Sequence, residues 1–187
     1  SGAHAPDQDI ATRYRQHLDA LLEVGLASSM LLEPTEQARV ALDEIIRVFA
    51  AQRAFLFVYD DDEGALRLNT GRNVRGETVT QVAGYKGRAV QQVWNSLEPV
   101  VIRGCDNEED GTGIMAAPLI ARDRLLGVVY VDGSRSQSNR HSEDVQVLLA
   151  IANHLAVTLE TSRVNQLEVE FASERRERRL AENLRTV

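Results

Sequence analysis

The chain has 187 residues, 21 Lys+Arg against 28 Asp+Glu for a formal net charge of −7, and one cysteine, Cys105. That length suits one domain with a core large enough to fold without staples, and a single thiol excludes an intramolecular disulfide scaffold, which reads as a soluble, reducing, cytoplasmic setting. A hydrophobic share of 43% excludes wholesale disorder, while the acidic balance and few aromatics (four Phe, four Tyr, one Trp) argue against a nucleic-acid surface. No run approaches the ~20 apolar residues of a bilayer span, and no signal peptide is visible. The opening Ser1-Gly2-Ala3 reads as a tag remnant or an internal boundary, and residues 1 to 9 as a disordered or tag-derived N-terminus.

Ten of the twelve glycines lie between Gly64 and Gly133, which places a turn-rich sheet between long helices. A first helix is expected over residues 10 to 30, where Ile10, Tyr14, Leu18, Leu21, Leu22 and Leu26 recur at helical steps. Pro34-Thr35-Glu36 supplies a break, a capping hydroxyl and an acidic first turn for a second helix to about Ala51. Ala54-Phe55-Leu56-Phe57-Val58-Tyr59 is a nearly continuous apolar run, as a central strand covered on both faces requires. Asp60-Asp61-Asp62-Glu63-Gly64 turns the chain into the alternating Ala65-Leu66-Arg67-Leu68-Asn69, and the two strands make a hairpin. Residues 71 to 84 are polar and carry no clear period. A short helix over residues 86 to 96 follows, with Val90, Val93 and Trp94 on one side, and then the strand Val100-Val101-Ile102.

After an acidic loop, Ile114-Met115-Ala116-Ala117-Pro118-Leu119-Ile120 forms another strand, with Pro118 implying an edge or a bulge. Arg122-Asp123-Arg124 turns into the buried strand Leu125-Leu126-Gly127-Val128-Val129-Tyr130-Val131-Asp132. Ser142-Glu143-Asp144 starts a helix that no Pro or Gly interrupts afterwards; over residues 142 to 185 it would be ~66 Å long. Val145, Leu148, Leu149, Ile151, Ala152, Leu155 and Leu159 give its first half a docking face. Residues 172 to 187 hold five Arg and three Glu, too polar to pack on their own core, so this end must project. Val164, Leu167 and Phe171 offer a short seam for a partner helix, which fades where Glu174, Arg178 and Arg185 take the continuing heptad positions. The last residues carry +2 and the rest of the chain, with 16 basic and 25 acidic residues, −9.

Catalytic and metal motifs are absent from the sequence: no nucleophile elbow, P-loop or His-Glu-x-x-His helix occurs. His4, His17, His141 and His154 do not pair at metal-ligand spacing. Asp106-Asn107-Glu108-Glu109-Asp110-Gly111 superficially suggests a calcium loop, but its twelfth position is Ala117 rather than a bidentate Glu. Asp60 to Glu63 reads as a turn, and Cys105 as an ordinary loop thiol.

Two segments carry a resemblance. Glu98-Pro99-Val100-Val101-Ile102, followed by the run from Ile114 through Pro118-Leu119 and Leu126-Gly127-Val128-Val129-Tyr130-Val131-Asp132, is one; Ser142-Glu143-Asp144-Val145 with Leu148-Leu149-Ala150-Ile151-Ala152-Asn153-His154-Leu155-Ala156 is the other. In this order and spacing they resemble a GAF domain over roughly residues 20 to 163. The resemblance implies an α+β fold: an antiparallel five- or six-stranded sheet with N- and C-terminal helices packed on one side and a long C-terminal helix. The domain would span residues 10 to 162, and residues 163 to 187 would be a helical linker or stalk toward an output domain. It also implies a ligand pocket on the other side of the sheet, beneath residues 72 to 94 and the loop after Gly104, where Arg72, Asn73, Tyr85, Trp94, Asp106 and Met115 become candidate ligand-binding residues. Two departures stand out: the loop before Ile114 is short where many members carry a lid helix, and His141 stands where Phe is frequent.

The expected function is a non-catalytic regulatory domain that senses a small molecule and passes the signal through a dimeric helical stalk in a multidomain signalling protein. The alternative is a ligand-free dimerisation or partner-docking module. Both imply a homodimer through the terminal helices, with no cofactor, metal, nucleic acid or membrane partner. Cyclic-nucleotide binding, bilin attachment and methionine sulfoxide reduction lack their residues: Asn139-Arg140 starts a cyclic-nucleotide signature that does not continue, and one cysteine cannot run a reductase cycle.

Overall fold

A computed structural model describes residues 33–82, 84, 87–102, 113–134 and 141–185. The helix expected over residues 10 to 30 lies outside the described residues, as do Cys105 and the acidic loop around it.

Helix α1, Pro34–Phe49, begins with proline in its first turn, where a missing N–H costs nothing. Its N-cap is Glu33 and no side chain caps it, so the hydroxyl expected of Thr35 does not serve. Ala38, Ala41, Leu42, Ile45, Ile46 and Phe49 form its buried stripe, and Ala50 ends it in the left-handed conformation, donating its N–H to the Ile46 carbonyl.

The strands β1 (Arg53–Asp60), β2 (Ala65–Asn73), β3 (Val100–Ile102), β4 (Gly113–Ala121) and β5 (Arg124–Ser134) form one antiparallel sheet in the order β2-β1-β5-β4-β3. β1 and β5 are central, as their apolar runs require. The two backbones approach closely where Val58 faces Gly127: a Cβ on Gly127 would sit 2.0 Å from the Phe57 carbonyl oxygen. Pro118 faces Val128 of β5 beyond the reach of β3, which pairs only with Ile114, Met115 and Ala116, and the register of β4 slips just after it at Leu119/Ile120. Of the edge or bulge expected of that proline, the first is met locally: among the described residues Pro118 has no partner strand on its β3 side.

The sheet divides the interior into two cores. On one face α1 and helix α3, His141–Arg185, bury Leu42, Ile45, Leu148, Ile151 and Leu155 against Leu56, Leu119, Val129 and Val131. On the other, helix α2, Gly87–Ser96, sets Ala89, Val90 and Val93 against Phe55, Phe57, Val128 and Tyr130. One stretch of α3 is long and apolar enough, by length and composition alone, to cross a membrane; within it Leu148, Ile151, Ala152, Leu155 and Ala156 are buried against the sheet. From residue 165 to residue 185 every side chain of α3 is exposed, as the charge pattern requires.

Candidate functional site

Two places among the described residues are candidates for a functional role: the sheet face under α2, and the base from which α3 projects.

Under α2 the alternation of β1 brings Phe55 and Phe57 to one face, while β5 adds Val128 and Tyr130 and β4 adds Ile114 and Ala116. Phe55 is the centre. Its ring lies 6.4 Å from Phe57 and 6.1 Å from Tyr130, tilted by 43° and 42°, within the range where aromatic edges and faces attract. Gly71 makes room for it, since a Cβ there would lie 2.6 Å from the Phe55 ring. At one end of this face Arg53 donates to Asp132, Nε to Oδ1 at 3.0 Å and Nη2 to Oδ2 at 2.5 Å, and its guanidinium carbon lies 5.4 Å from the Phe55 ring centre. The hydrogen bond to Asp132 raises the Arg53 pKa above its ordinary value. At the other end Trp94 stacks on Tyr59, with centroids 4.9 Å apart and planes 20° from parallel; both rings are half-buried. Among the described residues this face is apolar and aromatic, with an ion pair at one end and a half-buried aromatic pair at the other.

The four candidate residues that lie among the described residues do not converge. Trp94 is on the α2 face. Met115 is on the opposite face, buried among the side chains beneath α1 and α3. Arg72 also belongs to that side: its Nε and Nη2 donate to Asp43 of α1 at 2.7 and 2.8 Å, and its Nη1 to the Thr78 hydroxyl at 3.1 Å. Hydrogen bonding to Asp43 raises the Arg72 pKa. Asn73 folds its own loop, accepting at Oδ1 from the backbone N–H of Arg75 and Glu77, both at 3.0 Å, and donating to the Glu77 carboxylate at 2.8 Å. Tyr85 and Asp106 lie outside the described residues. Among the described residues no group of three or more His, Cys, Asp or Glu could hold a metal ion. His154, on α3, is half-buried with its Nε2 3.4 Å from the Thr158 hydroxyl, and burial lowers its pKa below the ordinary imidazole value.

At the base of the projecting helix, Asp61 meets Arg124 and Arg163, a cluster that no local sequence signal announces because its members are 63 and 102 residues apart. The exposed apolar residues of α3 fall into two stripes. Val157, Leu167 and Phe171 share one side with the half-buried Val164; Val169, Leu180 and Leu184 lie about half a turn away at ~100° per residue.

Against known proteins, the model of the GAF domain matches residues 33–159. Among curated proteins, none matches this sequence. Solved structures of the same shape include the GAF domain of a phosphoenolpyruvate-protein phosphotransferase from Coxiella burnetii, at 15% identity and TM-score 0.61, covering 84% of this chain and 98% of that one. The GAF domain of a protein assigned as a sensor histidine kinase from Pseudomonas syringae pv. tomato gives 16% and 0.62, covering 88% and 99%. Free methionine-R-sulfoxide reductase from Neisseria meningitidis, in complex with its substrate, gives 20% and 0.60, covering 87% and 96%. At these identities the likeness is one of fold.

Proposed function

The chain belongs to the GAF domain family, and on that premise we propose that it is a non-catalytic regulatory module of a signal-transduction protein, whose output is the projecting half of α3 paired with a second copy of itself. The observation that carries this reading is the division of α3. Its first half is buried on the sheet, and its second half is wholly exposed yet bears Leu167 and Phe171 in line with Val157 and Val164. An exposed apolar stripe at heptad spacing is the surface that a parallel partner helix covers. A cytoplasmic location, without nucleic-acid or membrane partners, belongs to the same proposal and rests on the lone thiol and the acidic body.

A small molecule is the proposed input, received on the α2 face. Trp94 and Tyr59 support this, since a stacked, half-buried aromatic pair at the end of an apolar face suits a planar ligand. A specific observation also favours the second reading, a ligand-free dimerisation or docking module. Phe55, Phe57, Val128 and Tyr130, in the cluster beneath α2, are at most 5% exposed, which supports a face filled by the chain's own side chains.

Cysteine cross-linking tests the pairing. In a Cys105→Ser background, Leu167→Cys is expected to give a disulfide between two chains under mild oxidation, while Asn165→Cys, two residues earlier and turned away from the stripe, gives much less. Equal cross-linking at both positions would contradict a defined seam. Melting the chain against fractionated small-molecule extracts separates the two inputs: a fraction that raises the melting temperature supports sensing, and none doing so favours the ligand-free module.

A further inference from the structure

Where α3 leaves the sheet, charged side chains from three parts of the chain meet on one carboxylate. Asp61, in the turn between β1 and β2, accepts from Arg124 Nη2 on both its oxygens, at 2.9 and 2.8 Å, and from Arg163 Nη2 at 2.9 Å. Arg124 is the first residue of β5, and Arg163 lies on α3 two residues before the fully exposed stretch begins. The pairing with Arg124, followed by the charge of Arg163, holds the Asp61 carboxyl below the usual carboxylate range.

Both turns beside this carboxylate have a defined backbone geometry. In the β1–β2 turn, Asp60 Oδ1 accepts from the backbone N–H of Asp62 at 2.9 Å and of Glu63 at 3.3 Å, and the Gly64 N–H donates to the Asp60 carbonyl at 2.8 Å. In the β4–β5 turn, Arg122 and Asp123 both hold positive φ, 50° and 60°. That pair of angles makes the tight hairpin turn usually given to Asn-Gly, and it is costly for an arginine. The turn that presents Arg124 is therefore held in a conformation its own residues disfavour. Arg163 has a different setting. It sits on the last part of α3 that touches the domain, so a small rotation at its Cα is amplified along the exposed helix beyond it.

Asp61 also has a second electrostatic role. It separates two guanidinium groups that would repel each other without it, so its loss removes an attraction and leaves a repulsion between the β4–β5 turn and α3.

We propose that Asp61 is a positioning residue, a clasp that fixes the direction in which the projecting half of α3 leaves the domain and converts movement of either hairpin turn into a change of that direction. The proposal rests on the reading of α3 as the output of a regulatory module and names how that output is aimed. A clasp of exposed ion pairs suits this work because it biases the helix without locking it, and because it yields to competing charge.

The test uses the full chain with Cys105→Ser, carrying spin labels at Gln92→Cys on α2 and Glu177→Cys on the projecting helix. Labelled chain is diluted into unlabelled chain so that only distances within one chain are read. A single narrow distance distribution is expected at low salt. Asp61→Asn and Arg163→Gln should shift or roughly double the width of that distribution, and so should raising salt to about 0.5 M. Arg163→Lys, which keeps the charge, should retain most of the narrow component. Arg163→Gln leaves the Asp61–Arg124 pair intact, so it reads the clasp even where Asp61→Asn disturbs folding. An unchanged distribution in Arg163→Gln and at high salt overturns the proposal. Because the labels report on one chain, that outcome is separate from whether two chains pair, which sedimentation reads.

Discussion

In the first half of α3, Leu148, Ile151, Ala152, Leu155 and Ala156 are no more than 2% exposed and recur at the three- and four-residue steps of one helical face. In the second half, Leu167, Phe171, Leu180 and Leu184 are 44% to 80% exposed, and the apolar residues divide between opposite sides. The first half is helical because a sheet covers its face. The second has no such cover and relies on intrinsic propensity and on i,i+4 spacing of opposite charges, as at Glu174 and Arg178, worth only ~0.2–0.5 kcal/mol where a pair forms. One uninterrupted helix therefore joins a segment governed by the core to a segment governed by what lies outside it. Arg163 stands at the junction.

Truncating a leucine in each half separates the two segments by the largest effect. Leu155→Ala should destabilise the domain by about 2–5 kcal/mol in urea unfolding, because it leaves a cavity between α3 and the sheet. Leu184→Ala should change the same midpoint by no more than about 0.5 kcal/mol. Similar losses in both would mean that the two halves are not differently supported.

Gly127→Ala probes the sheet on which the docked half rests. Its Cβ would collide with the Phe57 carbonyl, and β1 can yield only by moving away from β5, so a loss near the upper end of ~1–3 kcal/mol is expected. Retention of the wild-type midpoint would show that the approach of these strands is looser than described.

Arg72→Ala should cost about 1 kcal/mol, since it leaves Asp43 of α1 without its bidentate partner while Asp43 itself stays largely hydrated. If Arg72 bound a ligand instead, the variant would keep its stability and lose a ligand-induced rise in melting temperature.

The smallest effect is one of pH and belongs to the docked half. His154 has a folded-state pKa lowered by burial, so the folded chain resists a proton that the unfolded chain accepts. Stability is thus complete above the unfolded value of about 6.5 and declines as pH falls through it toward the lower folded value. Urea midpoints measured between these limits should fall with pH in the wild type and fall less in His154→Gln. Identical slopes in the two chains would remove His154 from the account.

Much of this architecture can be read from the residues. The helix from Pro34, the apolar runs of β1 and β5, the turn at Asp60 to Gly64 and the length of α3 all follow from period, punctuation and charge. The site is less legible, for reasons that are local. Leu56 faces Thr70 but Phe57 faces Leu68, so Asn69 is an extra residue in β2 that exchanges its two faces. Leu66 and Leu68 consequently point to the α2 side while Arg72 points to α1, and no residue type at the bulge signals the change. Met115 lies in a run that is apolar at every position from Ile114 to Ile120, so alternation cannot say which face it takes; the pairing with β3 and β5 decides it. The Asp61 cluster is invisible for a third reason: acids in a turn and arginines 63 and 102 residues away become neighbours only when the sheet closes and α3 docks.

The central claim is that the exposed half of α3 serves a partner rather than the fold. Sedimentation equilibrium of the wild-type chain beside Val164→Glu/Phe171→Glu tests it directly. The account predicts a wild-type mass of twice the 20.8 kDa chain, conversion of the double variant to single chains, and the same melting temperature for both in dilute solution. A wild type that sediments as single chains at high micromolar concentration, or a double variant that stays paired, would contradict it.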